Sequence, residues 1–252
     1  MKPSAVFVAA LLAWPAMALA AAPTASMKAA VADTGRPAAD TARDENRKPA
    51  QMLAFAGITP GKVVVDMLPG GGYFTRIFAR AVEPGGRVYA YFSSIGDARV
   101  KALGKDPDNQ FADLKQTYKN LGVIHGPLDG FVTPELVDVV WTSQNYHDLH
   151  NKALKTDVNA VNKGVFQSLK PGGYYVIIDH KAAESAGDDV TEKLHRIKES
   201  TTKTEVEAAG FKLVAEGHDL TFPGDDGSQR VFETGVRGKT NQFMLKFQKP
   251  RH

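Results

Sequence analysis

The chain has 252 residues, 43% of them hydrophobic, which suffices for one domain with a full core and is too short for two large ones. Its 31 basic and 28 acidic side chains leave a formal charge of +3 with no Lys/Arg block, which argues against a nucleic-acid partner. Cysteine is absent, which excludes a disulfide framework and a lipidated cysteine.

Lys2, the apolar run from Ala5 to Trp14, the break at Pro15 and Ala18-Leu19-Ala20 before Ala21 form the pattern of a signal peptide over residues 1–20. The run falls short of the ~20 residues a spanning helix needs. A periplasmic protein is therefore expected, without membrane contact after cleavage. Residues 21–39 are rich in Ala, Pro, Ser and Thr without an apolar period and read as a flexible leader. One domain is expected over residues 40–252, opening with helices within 40–57. There Arg43, Asp44, Arg47 and Lys48 mark a charged helix, Pro49 an interruption, and Met52, Leu53 and Phe55 a second helix with an apolar face.

Val63-Val64-Val65-Asp66 is an apolar run ending in an acid, and Met67-Leu68-Pro69-Gly70-Gly71-Gly72 leads into Tyr73 to Val82, whose Phe74, Ile77, Phe78 and Ala81 fall on one helical face. This predicts strand, ligand loop and helix, because glycines at the carboxyl end of a buried parallel strand let backbone N–H groups approach a ligand. Arg87 to Phe92 reads as a second strand, Ile95 to Lys119 as broken helix, Gly122 to Ile124 as a third strand and Leu136 to Thr142 as a fourth. A helix follows from about Lys152 to Leu169 and stops at Lys170-Pro171-Gly172-Gly173, before a fifth strand at Tyr174 to Asp179. Thr201 to Ala209 predicts a helix, with strands at Phe211 to Ala215 and Asn241 to Gln248. Strands alternating with helices argue for an α/β fold with a parallel sheet covered on both faces.

In order and spacing, the acid and glycine loop, Val137-Asp138-Val139-Val140-Trp141, Leu169-Lys170-Pro171-Gly172-Gly173-Tyr174 and Glu207-Ala208-Ala209-Gly210-Phe211 together resemble the class I S-adenosylmethionine-dependent methyltransferases, within them a group of exported predicted methyltransferases. The resemblance covers about Asp40 to the C-terminus. It implies a Rossmann-like seven-stranded sheet with helices on both faces and the last strand antiparallel beside the fifth. It also implies S-adenosylmethionine as cofactor, held around Asp66, Leu68, Pro69, Gly70, Gly71, Gly72, Tyr73, Phe92 and Asn145. Two departures stand out. Leu68 occupies the place of a glycine, with Pro69 removing an N–H beside it, and Phe92 ends the second strand where an acid would hold the ribose hydroxyls. Asp97 is a displaced substitute for that acid. A dinucleotide fingerprint fits less well, since Thr75 stands where a small residue is needed, and no P-loop lysine follows the glycines.

The fourth strand runs into Ser143-Gln144-Asn145-Tyr146-His147-Asp148-Leu149-His150, the densest cluster of functional groups in the chain. Strand carboxyl ends share one crevice, so Tyr146, His147 and Asp148 are expected near the glycine loop together with Asp179 and His180. His147 is the first choice for a base that takes a proton from the acceptor, with Asp148 or Asp179 orienting its ring. The competing structural reading has Asp148 capping a helix with His147 packed beneath it. Spacing fixes no third ligand for a metal at His147, His150 or His180, so no metal is assigned. His125, His195 and Arg196 read as surface or supporting residues, and Arg43 and Arg47 either fold over the cleft or form a solvated face. The expected function is methyl transfer to a small molecule. The alternative is an exported ligand-binding protein or pseudo-enzyme on the same fold.

Overall fold

The computed structural model describes residues 22–251, and the expected signal peptide lies outside them. Seven strands, β1 (Val63–Met67), β2 (Arg87–Ser93), β3 (Leu121–Gly126), β4 (Val137–Ser143), β5 (Leu169–His180), β6 (Lys212–Gly217) and β7 (Gln242–Gln248), form one sheet in the order β3-β2-β1-β4-β5-β7-β6. Pairs β1–β2, β1–β4, β2–β3 and β4–β5 are parallel. β7 enters antiparallel between β5 and β6, as the resemblance implied.

The helices are α1 (Ala25–Val31), α2 (Ala38–Thr41), α3 (Asp44–Arg47), α4 (Pro49–Ala56), α5 (Tyr73–Ala81), α6 (Ser94–Ala102), α7 (Ala112–Thr117), α8 (Val158–Ser168), α9 (Val190–Leu194) and α10 (Glu199–Ala208). Alternation along the central strands divides the core in two. Val64, Val88, Ala90, Val139 and Trp141 face α1, α4 and α5, whereas Val65, Met67, Tyr91, Val140 and Ile177 face α8 and α10. Both sheet faces are thus sealed, and the chemistry collects at the strand ends. No helix among the described residues is long and apolar enough to cross a membrane.

Three expectations need correction. The segment read as a flexible leader contains α1, capped where the Thr24 hydroxyl accepts from the Met27 N–H at 3.3 Å. Met27 and Ala30 are buried in the core, and Asp33 accepts from Arg80 Nε at 2.9 Å and the Tyr118 hydroxyl at 3.2 Å. A two-residue stripe in an alanine-rich segment carries too little periodicity to be seen. Second, β5 begins at Leu169, not Tyr174: Lys170 to Gly173 continue the strand, with a register shift opposite Val137/Val139. Third, the helix expected from Lys152 starts only at Val158, where Asp157 accepts from the N–H groups of Asn159 and Ala160.

If α1 belongs to the fold, Met27→Ala lowers unfolding stability by about 2 kcal/mol. Urea unfolding measures this, and a flexible leader would leave the midpoint unchanged.

Candidate active site

The turn after β1 sets the floor of the site. Leu68 has φ 59°, and its N–H donates to the Tyr91 carbonyl at 2.9 Å. The left-handed backbone expected of a glycine is therefore kept with a leucine in it, at a local cost of about 1–2 kcal/mol. The three glycines divide their work. A Cβ on Gly72 would meet Phe111 Cζ at 2.8 Å, so this residue permits close packing as it enters α5. A Cβ on Gly70 or Gly71 would meet nothing within 4 Å. Among the described residues, the N–H groups of Gly70 and Gly71 find no acceptor.

Two cavities meet at this loop, sharing Leu68, Pro69, Gly70, Gln144 and Asn145. Asn145 joins the ends of β1 and β4, its Nδ2 donating to the carbonyls of Leu68 at 3.0 Å and Ser143 at 2.8 Å. The smaller cavity, about 210 Å³, is bordered by Arg43, Arg47, Asp66, Tyr73 and Phe74. Tyr73 is the pivot of its roof: its hydroxyl donates to Asp44 at 2.6 Å, while the guanidiniums of Arg43 and Arg47 lie 4.8 Å and 4.5 Å from its ring centroid. Arg43 is paired with Asp40 at 2.6 Å. Arg47 is half-buried, donates to Gln144 Oε1 at 2.8 Å, and has no carboxylate partner among the described residues. Burial first, then repulsion from Arg43, pushes the Arg47 pKa down, so an anion beside it would be stabilising. Below it, burial pushes the Asp66 carboxyl up to about 7 against the hydrogen bond from Thr75 Oγ1 at 2.6 Å and the Arg47 charge.

The larger cavity, about 680 Å³, lies over the ends of β2, β4 and β5. His147 and His180 border it, and both rest on Asp179. One Asp179 oxygen accepts from His147 Nδ1 at 2.8 Å and the His180 N–H at 2.7 Å, the other from the His147 N–H at 2.7 Å. Burial would raise the Asp179 carboxyl, but the facing His147 ring and these N–H groups outweigh it and hold it below the usual range. Burial opposes protonation of His147, yet Asp179 and Asp148 raise its pKa above 6.5. With Nδ1 committed to Asp179, the Nε2 lone pair of neutral His147 is free. His180 is driven the other way, to about 4 by burial, and stays neutral with Nδ1 against Thr240 Oγ1 at 2.6 Å.

Not every expected site residue borders a cavity. Tyr146 is fully buried behind the turn, its hydroxyl donating to Glu205 at 3.0 Å and accepting from Asn162 at 2.9 Å. It borders neither cavity, because its hydroxyl is held in the core by Glu205 and Asn162, whereas His147, Asp148 and Leu149 of the same 3-10 turn border the large one. His150 follows it, with Nε2 3.2 Å from Glu205. Asp148 caps no helix among the described residues; it borders the large cavity, its carboxylate 3.4 Å from His147 Nε2. Phe92 does border the large cavity, stacked on His125. Asp97 is taken by His125 Nδ1 at 2.9 Å and is no substitute for a ribose acid.

The sequence reads His195 and Arg196 as surface or supporting residues. His195 lines the cavity, and Arg196 is fully buried, donating to both oxygens of Asp225 at 2.8 and 2.7 Å and to the Gln229 carbonyl at 2.8 Å. That clamp holds the segment whose Val231 and Phe232 form the outer wall. Gln110, which also borders the large cavity, carries no such signal in the sequence. No local pattern marks residues that meet only across the fold.

No protein-family model matches the chain. Its fold is similar to that of an S-adenosylmethionine-dependent methyltransferase from Aquifex aeolicus, at 18% identity and TM-score 0.54, over 87% of this chain and 97% of that one. It is also similar to a candidate sarcosine dimethylglycine methyltransferase from Galdieria sulphuraria, at 14% identity and TM-score 0.59, over 84% and 88%. An arsenic(III) S-adenosylmethionine methyltransferase from Chlamydomonas reinhardtii aligns at 16% identity and TM-score 0.52, over 91% and 74%. At such identities the likeness establishes the fold.

The buried Asp66 carboxyl has a signature in stability. Its folded pKa of about 7 exceeds the ordinary value near 4, so the folded state holds this proton more tightly and stability falls as pH rises from about 4 to 7. Asp66→Asn removes that decline and stabilises the protein at pH 8 by up to about 4 kcal/mol. Denaturant unfolding at pH 5 and pH 8 measures the difference between the two slopes.

Proposed function

We propose that the protein is an S-adenosylmethionine-dependent methyltransferase acting on a small-molecule acceptor, with His147 as the base. The observation that carries this reading is the pair of joined cavities, with an uncompensated guanidinium at one end and a carboxylate-backed imidazole at the other. The similar folds named above support it. The N-terminal pattern supports export as the setting.

The residues present fit the cofactor at its two ends. Arg47 supplies a charged donor for the methionine carboxylate, and the unpaired N–H groups of Gly70 and Gly71 lie beside it. The apolar side chains of Ile95, Val100 and Leu128 suit an adenine ring. Among the described residues no acid at the end of β2 borders the cavity, and Ser93 with the side-chain amide of Gln110 would offer the ribose hydroxyls their hydrogen bonds. The cofactor supplies a sulfonium methyl that a lone pair can attack. The protein's task is to align that lone pair and remove its proton.

His147 Nε2 accepts the proton, and Asp179 stabilises the imidazolium that forms, because its carboxylate already faces Nδ1. Leu149, Leu154, Val231 and Phe232 give the acceptor side an apolar wall that excludes water. A compact acceptor with a hydroxyl or amine on an apolar body matches these surroundings.

Calorimetric titration with S-adenosylmethionine and S-adenosylhomocysteine tests the reading. Micromolar binding is expected, with Arg47→Ala weakening it at least about 10-fold through loss of a charge-assisted contact. His147→Ala should leave the affinity unchanged. Absence of binding at millimolar cofactor would sink the proposal.

A further inference from the structure

We propose that His147 Nε2, Asp148 Oδ1 and His195 Nδ1 form a binding site for a divalent ion of the zinc class at the rim of the large cavity. The inference stands independently of whether a methyl group is transferred. The three side chains bring one ligand atom each within 4.8 Å of one another. Asp148 Oδ1 is 3.4 Å from His147 Nε2 and 3.7 Å from His195 Nδ1. Tetrahedral coordination at about 2.0–2.1 Å requires ligand atoms about 3.3 Å apart, so closure needs shifts of only tenths of an ångström along these two edges.

The surroundings are those of a ligand set. His147 gives its Nδ1 proton to Asp179, the carboxylate–histidine arrangement that fixes a ring with the other nitrogen free for a metal. The Asp148 carboxylate accepts no hydrogen bond among the described residues, although two imidazoles face it. His195 is held at the end of α9 with φ 53°, its ring edge-on to that of His147 at 5.5 Å. Two imidazoles and one carboxylate suit zinc-class ions over magnesium or calcium, which prefer oxygen. Three protein ligands leave a fourth position toward the cavity.

One neighbour opposes loading. Arg230 Nη2 lies 3.1 Å from His195 Nε2, where a metal-bound tautomer would carry its proton. Entry of the ion therefore requires this exposed arginine to swing away. A bound ion would also use the His147 lone pair that serves as base in the proposed reaction, so occupancy and proton acceptance exclude each other.

The test uses the chain expressed without a histidine tag and stripped with a chelator. Titration with Zn²⁺ by calorimetry, and with Co²⁺ by visible absorption, should show one equivalent bound with a tetrahedral-type Co²⁺ spectrum. His195→Asn, which tolerates the left-handed backbone, should weaken Zn²⁺ about 100-fold, and Asp148→Asn about 10-fold. Arg230→Ala should tighten it. Circular dichroism and S-adenosylhomocysteine titration of each variant separate loss of the site from loss of the fold or of the methyltransferase reading. No saturable binding, or stoichiometric binding that survives both His195→Asn and Asp148→Asn, overturns the proposal.

Discussion

The Asp179 carboxylate is the constraint on which the site depends. Fully buried at the end of β5, it is tolerable as a charge only because two backbone N–H groups and the His147 ring converge on it. The converse also holds. The turn after β4 is fixed on β5 through this side chain, so the aim of His147 follows from the solvation of one buried acid. Tyr146 is turned inward, where its hydroxyl donates to Glu205 and accepts from Asn162. Neighbouring residues thus acquire opposite fates.

At the other end, the roof is assembled from charges of the N-terminal helices. Asp44 gathers the Arg36 guanidinium and the Tyr73 hydroxyl, and Asp40 gathers Arg43 and Arg76. Each of these arginines has a carboxylate; Arg47 has none among the described residues. Local pairing is satisfied around it, which leaves its charge directed at the small cavity and at the buried Asp66. The glycine loop between the two ends provides backbone room, and its strained Leu68 keeps the required left-handed turn while adding an apolar wall.

The sheet was readable because its strands are apolar runs and its turns are glycine- and proline-marked. Val63 to Met67, Arg87 to Ser93 and Gln242 to Gln248 emerge near their expected bounds. Asp179, His147 and His180 were readable as neighbours because parallel strands end in one crevice. The missed features are those fixed only by tertiary contact. Arg47 and Gln144 are 97 residues apart, Arg196 and Asp225 are 29 apart, and nothing in their local sequence announces either pairing. The leader expected over residues 21–39 conceals α1, because Met27 and Ala30 acquire meaning only against α4 and α5. Tyr146 was placed in the site because a 3-10 turn redirects side chains in a way that strand alternation does not foresee.

Asp179 sets the protonation and direction of His147. The most direct measurement is nitrogen-15 NMR of the His147 ring as a function of pH, in the native protein and in Asp179→Asn. The native ring is expected to titrate above 6.5, to become the Nδ1–H tautomer when neutral, and to lose that upward shift in the variant. A native His147 that titrates below 6.5, or an Nε2–H tautomer unaffected by the substitution, would contradict it.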